Sequence, residues 1–440
     1  MAQTQTKTKT RESFVIPHLR WWICGLLFTS TAINYIYRQT FNVLAPYLKI
    51  EFHWTNSDFA LILIAFRIAY AVGETASGKF LDWLGTRLGL LITVTIYSVS
   101  AMLTGFATGL RSFAVFRFLV GAGESANWPG ATKTVSEWFP KAERGWAVAI
   151  FDSGSAVGGA IVPALVLWLY HHFGTWRPVF YSTGFLGFLW VLAWQFLYHP
   201  PEVHPHIGAA EREMLLNAKE EEALSESRAV AEGSGGKATG WLQLLKLPQT
   251  WGIILSRSVT DPVWFLIMEW FAIYLVSKGF RLENTLLGFA GPYIAGDLGN
   301  FFGGGLSSEL IRRGWPVLRS RKFVVILGTV GMTLLIPAVY TSNLTLIVLF
   351  FSIASFAYST WSTMLLSLPA DLYPSSMVAS VSGVSLTGGG IGTILSTFLI
   401  GAILDHYSFR PVLIAASLAP LIGTVLLLLL VRSRGVESAA

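Results

Sequence analysis

Twelve long apolar segments, separated by polar stretches, constrain the fold of this chain more than any other feature. A helix needs about 20 mainly apolar residues to cross the hydrocarbon core of a bilayer. Segments of that length lie near 19–47, 56–82, 88–108, 112–138, 143–171, 177–198, 250–277, 284–312, 322–341, 343–371, 377–404 and 408–431. The sequence therefore predicts an all-α integral membrane protein with twelve transmembrane helices.

The basic residues predict the orientation of these helices. Only 13% of the residues are charged, about half the share in an average soluble protein. With both termini in the cytoplasm, 21 of the 31 basic residues fall on cytoplasmic tails, loops and helix ends, six fall outside and four within the membrane. This asymmetry favours cytoplasmic termini in a bacterial inner membrane. It also explains the net charge of +6 without nucleic-acid binding.

A charged stretch containing Gly and Ser separates two sets of six segments. The first apolar segment lacks a small-residue cleavage site, so we expect it to be retained rather than removed as a signal peptide. The middle stretch is expected to be helical over 209–227. The predicted organisation is a tail at 1–18, a six-helix bundle at 19–198, a linker at 199–249, a second six-helix bundle at 250–431 and a tail at 432–440.

The two halves contain matching short motifs. WRPVF at 176–180 corresponds to FRPVL at 409–413, and EWFPK at 137–141 corresponds to DLYPS at 371–375, so both pairs have nearly the same separation along the chain. Parallel repeats in transporters usually place the substrate site near the membrane midplane, between the two repeats. We therefore expect two pseudo-symmetric bundles, although similar helix ends without a common architecture would produce the same motifs.

Arg38 is the strongest candidate for a binding residue. It lies deep in the first apolar segment, where a charge costs several kcal/mol unless a negative group or water meets it. A guanidinium matches the two oxygens of a carboxylate. Tyr35 is three residues before Arg38, and Tyr70 is three residues after Arg67, so each pair shares a helix face. We expect Arg38 to bind a substrate carboxylate with the help of Tyr35 and Tyr70.

Two further pairs of intramembrane charges are spaced seven residues apart. Glu124 follows Arg117 at this distance, and Glu74 follows Arg67. Residues seven apart differ by about 20° around a helix and therefore share a face. Mutual neutralisation within the bundle is the alternative to a functional role for Arg117 and Glu124.

Several motifs resemble the major facilitator superfamily. The loop Gly78-x-x-x-Asp82-x-x-Gly85-x-Arg87 is similar to its signature. A narrower resemblance, over residues 20–430, is to its anion:cation symporter branch, which includes bacterial hexuronate and galactonate importers. The motifs that carry it are INYIYRQ (33–39), GAGESANWPGA (121–131), EWFPKAERG (137–145), TDPVW (260–264), GDLGNFFGG (296–304), SLPADLYP (367–374) and ILD (403–405).

The resemblance implies a role for each matching residue. Arg38 and Tyr70 would contact the substrate acid, while Arg117 and Glu124 would form a coupled pair in which Glu124 takes up a proton. Bacterial relatives typically have an acid where this chain has Tyr37, and a phenol, with a pKa of about 10, is a poor proton carrier at neutral pH. The acids that could replace it are Asp152, Glu74 and Glu269, each of which could instead form a local ion pair.

In the second half, the resemblance implies aromatic stacking on the carbon chain of a sugar acid and hydrogen bonds to its hydroxyl groups. The matching residues are Trp264, Thr360, Trp361, Ser362 and Ser385. Ordinary helix packing is an equally good explanation for each of them.

The resemblance also implies a cytoplasmic gate, and glycines indicate where helices move. The gate candidates are Asp82 with Arg87 and Glu309 with Arg312 or Arg313, for which helix capping is compatible with the same positions.

Glycines occur at matching places in the fifth and eleventh segments, where they would let helices pack closely and slide. They are Gly154, Gly158, Gly159, Gly388, Gly389, Gly390 and Gly392.

No enzyme motif stands out in the sequence. It has no P-loop, no G-x-S-x-G elbow and no His/Cys/acid cluster with metal-ligand spacing. We therefore expect no metal, no cofactor and no enzymatic activity. The predicted function is import of a small organic anion, such as a hexuronate or aldonate, by proton symport and alternating access, with a monomer in the lipid bilayer. An uncoupled uniporter or exporter, or a non-transporting sensor, are the alternatives.

Overall fold

The computed structural model describes residues 15–231, 245–373 and 375–431, and these are almost entirely helical. Most of the two predicted tails, residues 1–14 and 432–440, lies outside the described residues, as does linker segment 232–244. The predicted domain boundaries therefore stay predictions.

Six helices form the first bundle. They are α1 (Leu19–Glu51), α2 (Asn56–Thr104), α3 (Leu110–Glu124), α4 (Asn127–Trp138), α5 (Lys141–Phe173) and α6 (Arg177–Leu197). Helix α2 contains two of the predicted segments, and its backbone turns sharply between them at Gly85 (φ 76°, ψ 161°). Glycine adopts this conformation without a steric penalty, which explains its place in the loop motif.

The remaining helices form the linker and the second bundle. The linker helix α7 (Ala209–Ala231) covers the stretch that we expected to be helical. The second bundle consists of α8 (Pro248–Ser277), α9 (Leu286–Arg312), α10 (Val317–Met332), α11 (Ile336–Tyr340), α12 (Leu344–Leu372), α13 (Ser375–His406) and α14 (Phe409–Leu430), with 3₁₀ turns at Leu282–Thr285 and Thr333–Leu335.

Prolines divide two segments that we predicted as single helices. Proline has no backbone N–H and cannot bond to the carbonyl four residues earlier. Pro129 removes such a bond to Ser125, where α3 gives way to α4, and Pro337 removes one to Thr333, where α10 ends. The predicted helices at 112–138 and 322–341 are thus each built from two shorter helices.

In the described part of the chain, nine helical stretches are long and apolar enough to cross a membrane. The other three predicted segments correspond to α1, to α3 with α4, and to α9. These three contain Arg38, Glu124 and Asp297. Helices α3 and α4 are each too short to cross a membrane alone, and polar residues such as Arg38 and Asp297 lower the apolarity of α1 and α9. With these three segments, the described residues have the twelve-helix architecture that the sequence predicts.

Glycine contacts reveal the repeat within the structure. A Cβ atom added to Gly158 of α5 would meet the backbone of Ala32 in α1, and one added to Gly392 of α13 would meet the backbone of Ser258 in α8. The two glycines are separated along the chain by the same interval as the motifs EWFPK and DLYPS. The same close helix contact therefore occurs once in each bundle.

Polar contacts join the two bundles near one end, which we call the distal end. It contains the turns between α1 and α2 and between α13 and α14. The backbone N–H groups of Asn56 and Ser57 donate to the Asp405 carboxylate over 2.5 and 3.1 Å, so an acid of the second bundle caps α2 of the first. We call the interface between the two bundles the seam. Deeper in the seam, Arg67 Nη2 lies 2.6 Å from Glu269 Oε1.

The linker helix is anchored at the opposite end, which we call the linker end. Glu211 of α7 accepts hydrogen bonds from the backbone N–H of Leu19 over 3.0 Å and from Arg20 Nη1 over 2.8 Å. Arg20 also donates through Nε to Glu143 of α5 over 2.8 Å. The linker helix is thereby tied to the first bundle.

Candidate functional site

A cavity of about 170 Å³ lies in the seam between the two bundles. Helices α1, α4 and α5 contribute from one side, and α8, α9 and α12 from the other. The lining residues are Tyr35, Trp128, Asp152, Ser155, Ala156, Trp264, Tyr293, Asp297, Asn300, Tyr358, Ser359, Ser362 and Leu366. Tyr35 is near the middle of α1, whereas Leu366 is close to the linker end of α12. The cavity therefore extends from mid-depth toward the linker end.

Arg38 lies directly behind Tyr35, in an ion pair with Glu124. Its Nη2 and Nε atoms lie 3.1 and 3.3 Å from Glu124 Oε2. The guanidinium carbon is 5.2 Å from the ring centre of Tyr35 and 5.0 Å from that of Tyr70. The structure thus brings together the three residues that we predicted to bind a carboxylate.

The two members of this pair differ in exposure. The Arg38 side chain is 15% exposed, whereas that of Glu124 is completely buried. Glu124 Oε1 has no hydrogen-bond partner among the described residues. A buried carboxylate oxygen without a donor is costly, so this atom is a natural position for a proton.

Arg117 and Glu124, the implied coupled pair, interact electrostatically but form no ion pair within 4 Å in this structure. The Arg117 guanidinium lies over the rings of Phe41 and Phe66, 4.9 and 4.7 Å from their centres. Arg117 and Glu124 are seven residues apart, which separates their backbones by about 10 Å along α3. Arg38 approaches Glu124 from the neighbouring helix α1 instead. Phe66 also lies 5.1 Å from the Arg38 guanidinium carbon, so both arginines contact one ring.

Of the three acids expected to replace the missing carboxylate, the structure places Asp152 on the cavity. Glu269 pairs with Arg67 at the bundle seam. Glu74 is exposed and lines a separate surface pocket near Asp82. The helix face shared by Arg67 and Glu74 therefore does not produce a pair, because Arg67 turns to the other bundle.

Tyr37 points away from the cavity. Its hydroxyl donates to the carbonyl of Gly184 in α6 over 3.1 Å and lies 3.4 Å from Ser98 Oγ in α2. The side chain is buried between these helices. Position 37 thus serves packing within the first bundle in this chain.

The aromatic and hydroxyl candidates of the second bundle divide into two groups. Trp264 and Ser362 line the cavity. Trp361 is fully buried against Gly328 of α10. The remaining two hydroxyls bond within the bundle: Thr360 donates to the carbonyl of Gly299 over 3.1 Å and Ser385 to that of Val381 over 2.6 Å. The observed contacts of Trp361, Thr360 and Ser385 are therefore those of helix packing, and none of the three lines the cavity.

The sequence reading missed several polar residues at the site. Asp297 lines the cavity, and Asp261 accepts hydrogen bonds from Arg257 Nε over 3.2 Å and from the Tyr358 hydroxyl over 3.1 Å. The signal for Asp261 was available, because an Arg and an Asp four residues apart are helix neighbours. Asp297 was visible only as an acid within an apolar, glycine-rich segment.

Tyr358 could have been found through the repeat. Glu124 and Tyr358 are separated along the chain by the same interval as the two matching glycines. Arg38 and Trp264 are likewise separated by the same interval as the two backbone positions that those glycines contact. The rings of Trp264 and Tyr358 are stacked, with centres 5.4 Å apart and planes 23° apart. The equivalent positions of the two repeats therefore hold the Arg38–Glu124 ion pair in the first bundle and the stacked rings of Trp264 and Tyr358 in the second.

The gate candidates form contacts inside their own bundles. Asp82 pairs with Lys133, and Arg87 Nη2 donates to the carbonyl of Gln195 over 2.9 Å. The two gate candidates Asp82 and Arg87 therefore have separate partners, and their role in a gate stays a prediction. By the same repeat interval, Arg87 is equivalent to Arg321 of the second bundle, which binds Asp371 over 2.9 Å.

Glu309 likewise has only local partners among those that the structure describes. It pairs with Arg312 and, over 2.8 Å, with Arg313 on its own helix α9. Across residues 15–231, 245–373 and 375–431, no group of three or more His, Cys, Asp or Glu side chains is arranged to hold a metal ion.

Comparisons with known proteins agree on one family. The family model described as Major Facilitator Superfamily matches residues 27–384. The hexuronate transporter of Escherichia coli K12 is 30% identical over 422 residues, covering 94% of each chain. The galacturonate transporter of Dickeya chrysanthemi is 31% identical over 323 residues, covering 72% of this chain and 90% of its own. The crystal structure of a bacterial homologue of the human lysosomal transporter Spinster superposes with a TM-score of 0.69 at 18% identity, covering 94% and 96%.

Proposed function

Because the chain belongs to the Major Facilitator Superfamily, a family of membrane transporters rather than enzymes, we propose that it imports a sugar acid by proton symport and alternating access. Hexuronates and aldonates are the preferred candidates, since relatives named for such acids cover nearly the whole chain. The observation that carries the proposal is the placement of two residue pairs on opposite sides of the cavity. The charged wall is the ion pair Arg38–Glu124, which lies behind Tyr35, and the aromatic wall is the stacked pair Trp264 and Tyr358.

The charged wall suits the carboxylate of the substrate. Arg38 is the partly exposed member of its pair and lies against the ring of Tyr35, which lines the cavity. A small rotation of that ring would let a substrate carboxylate reach the guanidinium. Arginine then gives the two parallel hydrogen bonds that a carboxylate prefers.

Proton coupling follows from a change of partner at Arg38. When Glu124 takes up a proton it loses its negative charge, and the Arg38 guanidinium becomes available to the substrate carboxylate. The site then contains Arg38, a neutral Glu124 and one anion, so its net charge is the same as before. Binding of one anion with one proton therefore avoids an uncompensated charge in a low-dielectric interior.

The opposite wall suits the carbon chain and hydroxyl groups of a sugar acid. The stacked rings of Trp264 and Tyr358 offer an apolar surface to the C–H groups of the substrate. Asn300, Ser359 and Ser362 line the same side of the cavity and can bond to hydroxyl groups. A carboxylate and a polyol chain thus each have a matching surface.

Asp152 and Asp297 are candidates for a second protonation site. They line the cavity from opposite bundles, and the two carboxyl groups are close enough to interact electrostatically. Two neighbouring carboxylates favour uptake of a proton. The pair would supply the titrating carboxyl group that the resemblance implies at position 37 and that Tyr37 does not provide.

The proposed orientation has both termini and the linker in the cytoplasm of a bacterial inner membrane. The distal end then faces outward, and the contacts of Asp405 with α2 and of Arg67 with Glu269 close it. The central cavity, which extends toward the linker end, would be the inward-facing form of a monomeric transporter. Glu269 acts in this scheme as an outer gate residue.

An uncoupled uniporter or exporter is the second candidate. The observation that favours it is the direction of Tyr37, whose hydroxyl bonds to Gly184 and leaves no acid at that position. Such a transporter would keep the Arg38 site without needing Glu124 to titrate.

Uptake by proteoliposomes distinguishes the two candidates. The purified chain is reconstituted and supplied with labelled glucuronate, galacturonate or galactonate, with and without an acidic exterior. Symport predicts accumulation above the external concentration only when the exterior is acidic, and collapse of the gradient by a protonophore. Equilibration to equal concentrations, with or without the gradient, would support the uniporter.

A further inference from the structure

A second, larger cavity lies at the distal end, outside the closed part of the seam. Its volume is about 650 Å³. The first bundle contributes the last turn of α1 and the start of α2, and the second bundle contributes the ends of α8, α11 and α13 and the start of α14. A molecule in this cavity would touch both bundles.

The cavity is positively charged. Lys49, Lys278 and Arg410 line it, and the lining residues include no Asp or Glu. These are three of the six basic residues that the sequence analysis placed outside the membrane. None of the three pairs within 4 Å with a described carboxylate. The nearby Asp405 carboxylate is directed instead at the backbone N–H groups that begin α2.

Neutral partners hold the three cations in position. Lys278 Nζ donates to the carbonyl of Val339 over 2.8 Å, and Lys49 donates to the side chain of Asn56. Arg410 lies over the Tyr340 ring, 5.0 Å from its centre, and Nη2 is 3.3 Å from the hydroxyl of that ring. These contacts fix the side chains without a direct ion pair, and the Asp405 and Asp58 carboxylates act on Lys49 only at longer range.

We infer that this distal cavity binds a small carboxylate-bearing anion. Its volume lies within the range of about 300–1,000 Å³ that small-molecule sites occupy. Two cations from the second bundle and one from the first would surround the carboxylate, and the hydroxyls of Tyr407 and Ser408, which also line the cavity, can bond to a polyol chain. The choice of a sugar acid as the anion rests on the proposed function.

Occupancy of the distal cavity favours the closed form of the distal end. Lys49 belongs to one bundle, and Lys278 and Arg410 belong to the other, so the three cations surround one anion only while the bundles are in contact. A ligand shifts an equilibrium toward the state that it binds more tightly. The distal anion would therefore hold the seam shut, at a site separate from the one that transports.

The test uses the full chain in nanodiscs of zwitterionic phosphatidylcholine, with labelled glucuronate as the probe. Arg38→Gln removes the central site, and binding that persists in this variant reports the distal cavity. Adding Lys278→Gln and Arg410→Gln is expected to weaken the remaining binding by at least about tenfold, the effect of about 1.4 kcal/mol from lost charged contacts. Adding Arg281→Gln instead is the matched control, because Arg281 is exposed, close to Lys278 and outside the lining.

The outcomes separate this inference from the proposed function. Loss of all binding in Arg38→Gln, or residual binding that the two cavity substitutions leave unchanged, overturns the distal site and leaves the central site intact. Loss of all binding when the two cavity substitutions are made with Arg38 in place contradicts the central site instead. A lipid phosphate has the same anionic chemistry, so the assay is repeated with phosphatidylglycerol. No soluble-anion binding in phosphatidylcholine, with retention of phosphatidylglycerol that depends on Lys278 and Arg410, would assign the cavity to a lipid headgroup and overturn the inference.

Discussion

Arg38 and Glu124 form an ion pair of 3.1 Å between the middle of α1 and the last residue of α3, one ring away from the central cavity. The Arg38 side chain is partly exposed and that of Glu124 is not, so a substrate carboxylate can reach Arg38 and compete with Glu124 for it. In the proposed mechanism, this asymmetry lets the pair act as a switch in which an anion replaces a carboxylate that has become neutral. The predictions below follow from it and from its neighbours.

Replacing Glu124 with Gln is expected to uncouple transport from the proton. Glutamine keeps the size of the side chain and leaves Arg38 free for the substrate at any pH. Exchange of internal for external sugar acid should continue at near wild-type rate, while accumulation driven by a pH gradient should disappear. Counterflow and gradient-driven uptake in the same proteoliposomes measure the two activities. Full accumulation by Glu124→Gln would move the coupling proton to another residue.

Removing a carboxylate from the cavity is expected to strengthen the binding of an anionic substrate. Asp152→Asn and Asp297→Asn each remove a negative charge from the cavity and should lower the apparent KM at neutral pH, with a smaller change at acidic pH, where the carboxyl is already neutral. Uptake measured between pH 5 and pH 8 tests this. Glu74→Gln is the control, because Glu74 is exposed and does not line the cavity. An unchanged KM at neutral pH in both variants would exclude the two aspartates from substrate binding.

Breaking the Arg67–Glu269 pair is expected to open the distal end. Glu269→Gln leaves a largely buried guanidinium without its carboxylate, at a cost of roughly 3 kcal/mol to the closed form. Cys24 is the only cysteine, so Cys24→Ala gives a background in which Ala60→Cys, which faces Gly401 across the seam, reports opening by maleimide labelling. Labelling should become faster in Glu269→Gln. Restoration of slow labelling by the exchange Arg67→Glu with Glu269→Arg would confirm the pair as a gate, and unchanged labelling would contradict it.

Trp264 and Trp361 are expected to respond differently to substitution. Trp264→Ala removes the aromatic wall and should raise the KM for sugar acids by about tenfold, the scale of one ring contact. Trp361→Phe should lower the melting temperature and leave the KM unchanged, because Trp361 is fully buried and does not line the cavity. Transport kinetics and thermal unfolding of both variants provide the comparison. A KM effect in Trp361→Phe without loss of stability would place that ring in the substrate path.

The positions of the transmembrane segments and the repeat were predictable because they depend on local properties. Apolar length predicts a span regardless of its neighbours, and spacing along one helix predicts which side chains share a face. The grouping of Tyr35, Arg38 and Tyr70 followed from such spacing together with the matching motif. Arg38 was also conspicuous as a charge far from either end of its apolar segment.

The partners of the buried charges were not predictable from spacing alone. Helical periodicity gives a direction around one helix and does not say which neighbouring helix lies there. Glu124 therefore meets Arg38 of α1 rather than Arg117 of its own helix, and Arg67 meets Glu269 of the other bundle. In α12, which has neighbours on several sides, the apolar pattern does not distinguish Trp361, which packs inside the bundle, from a ring that lines the cavity.

Proton uptake on substrate binding tests the exchange of partners at Arg38 most directly. The purified protein in a weakly buffered solution with a pH indicator is mixed with glucuronate, and bound substrate is measured in parallel. The distal site is first weakened by Lys278→Gln with Arg410→Gln, so that the bound anion is that of the central site. In this background the account predicts uptake of about one proton per bound anion at neutral pH, anion binding without uptake when Glu124→Gln is added, and neither when Arg38→Gln is added. Tight binding by Arg38→Gln, or unchanged proton uptake by Glu124→Gln, would contradict it.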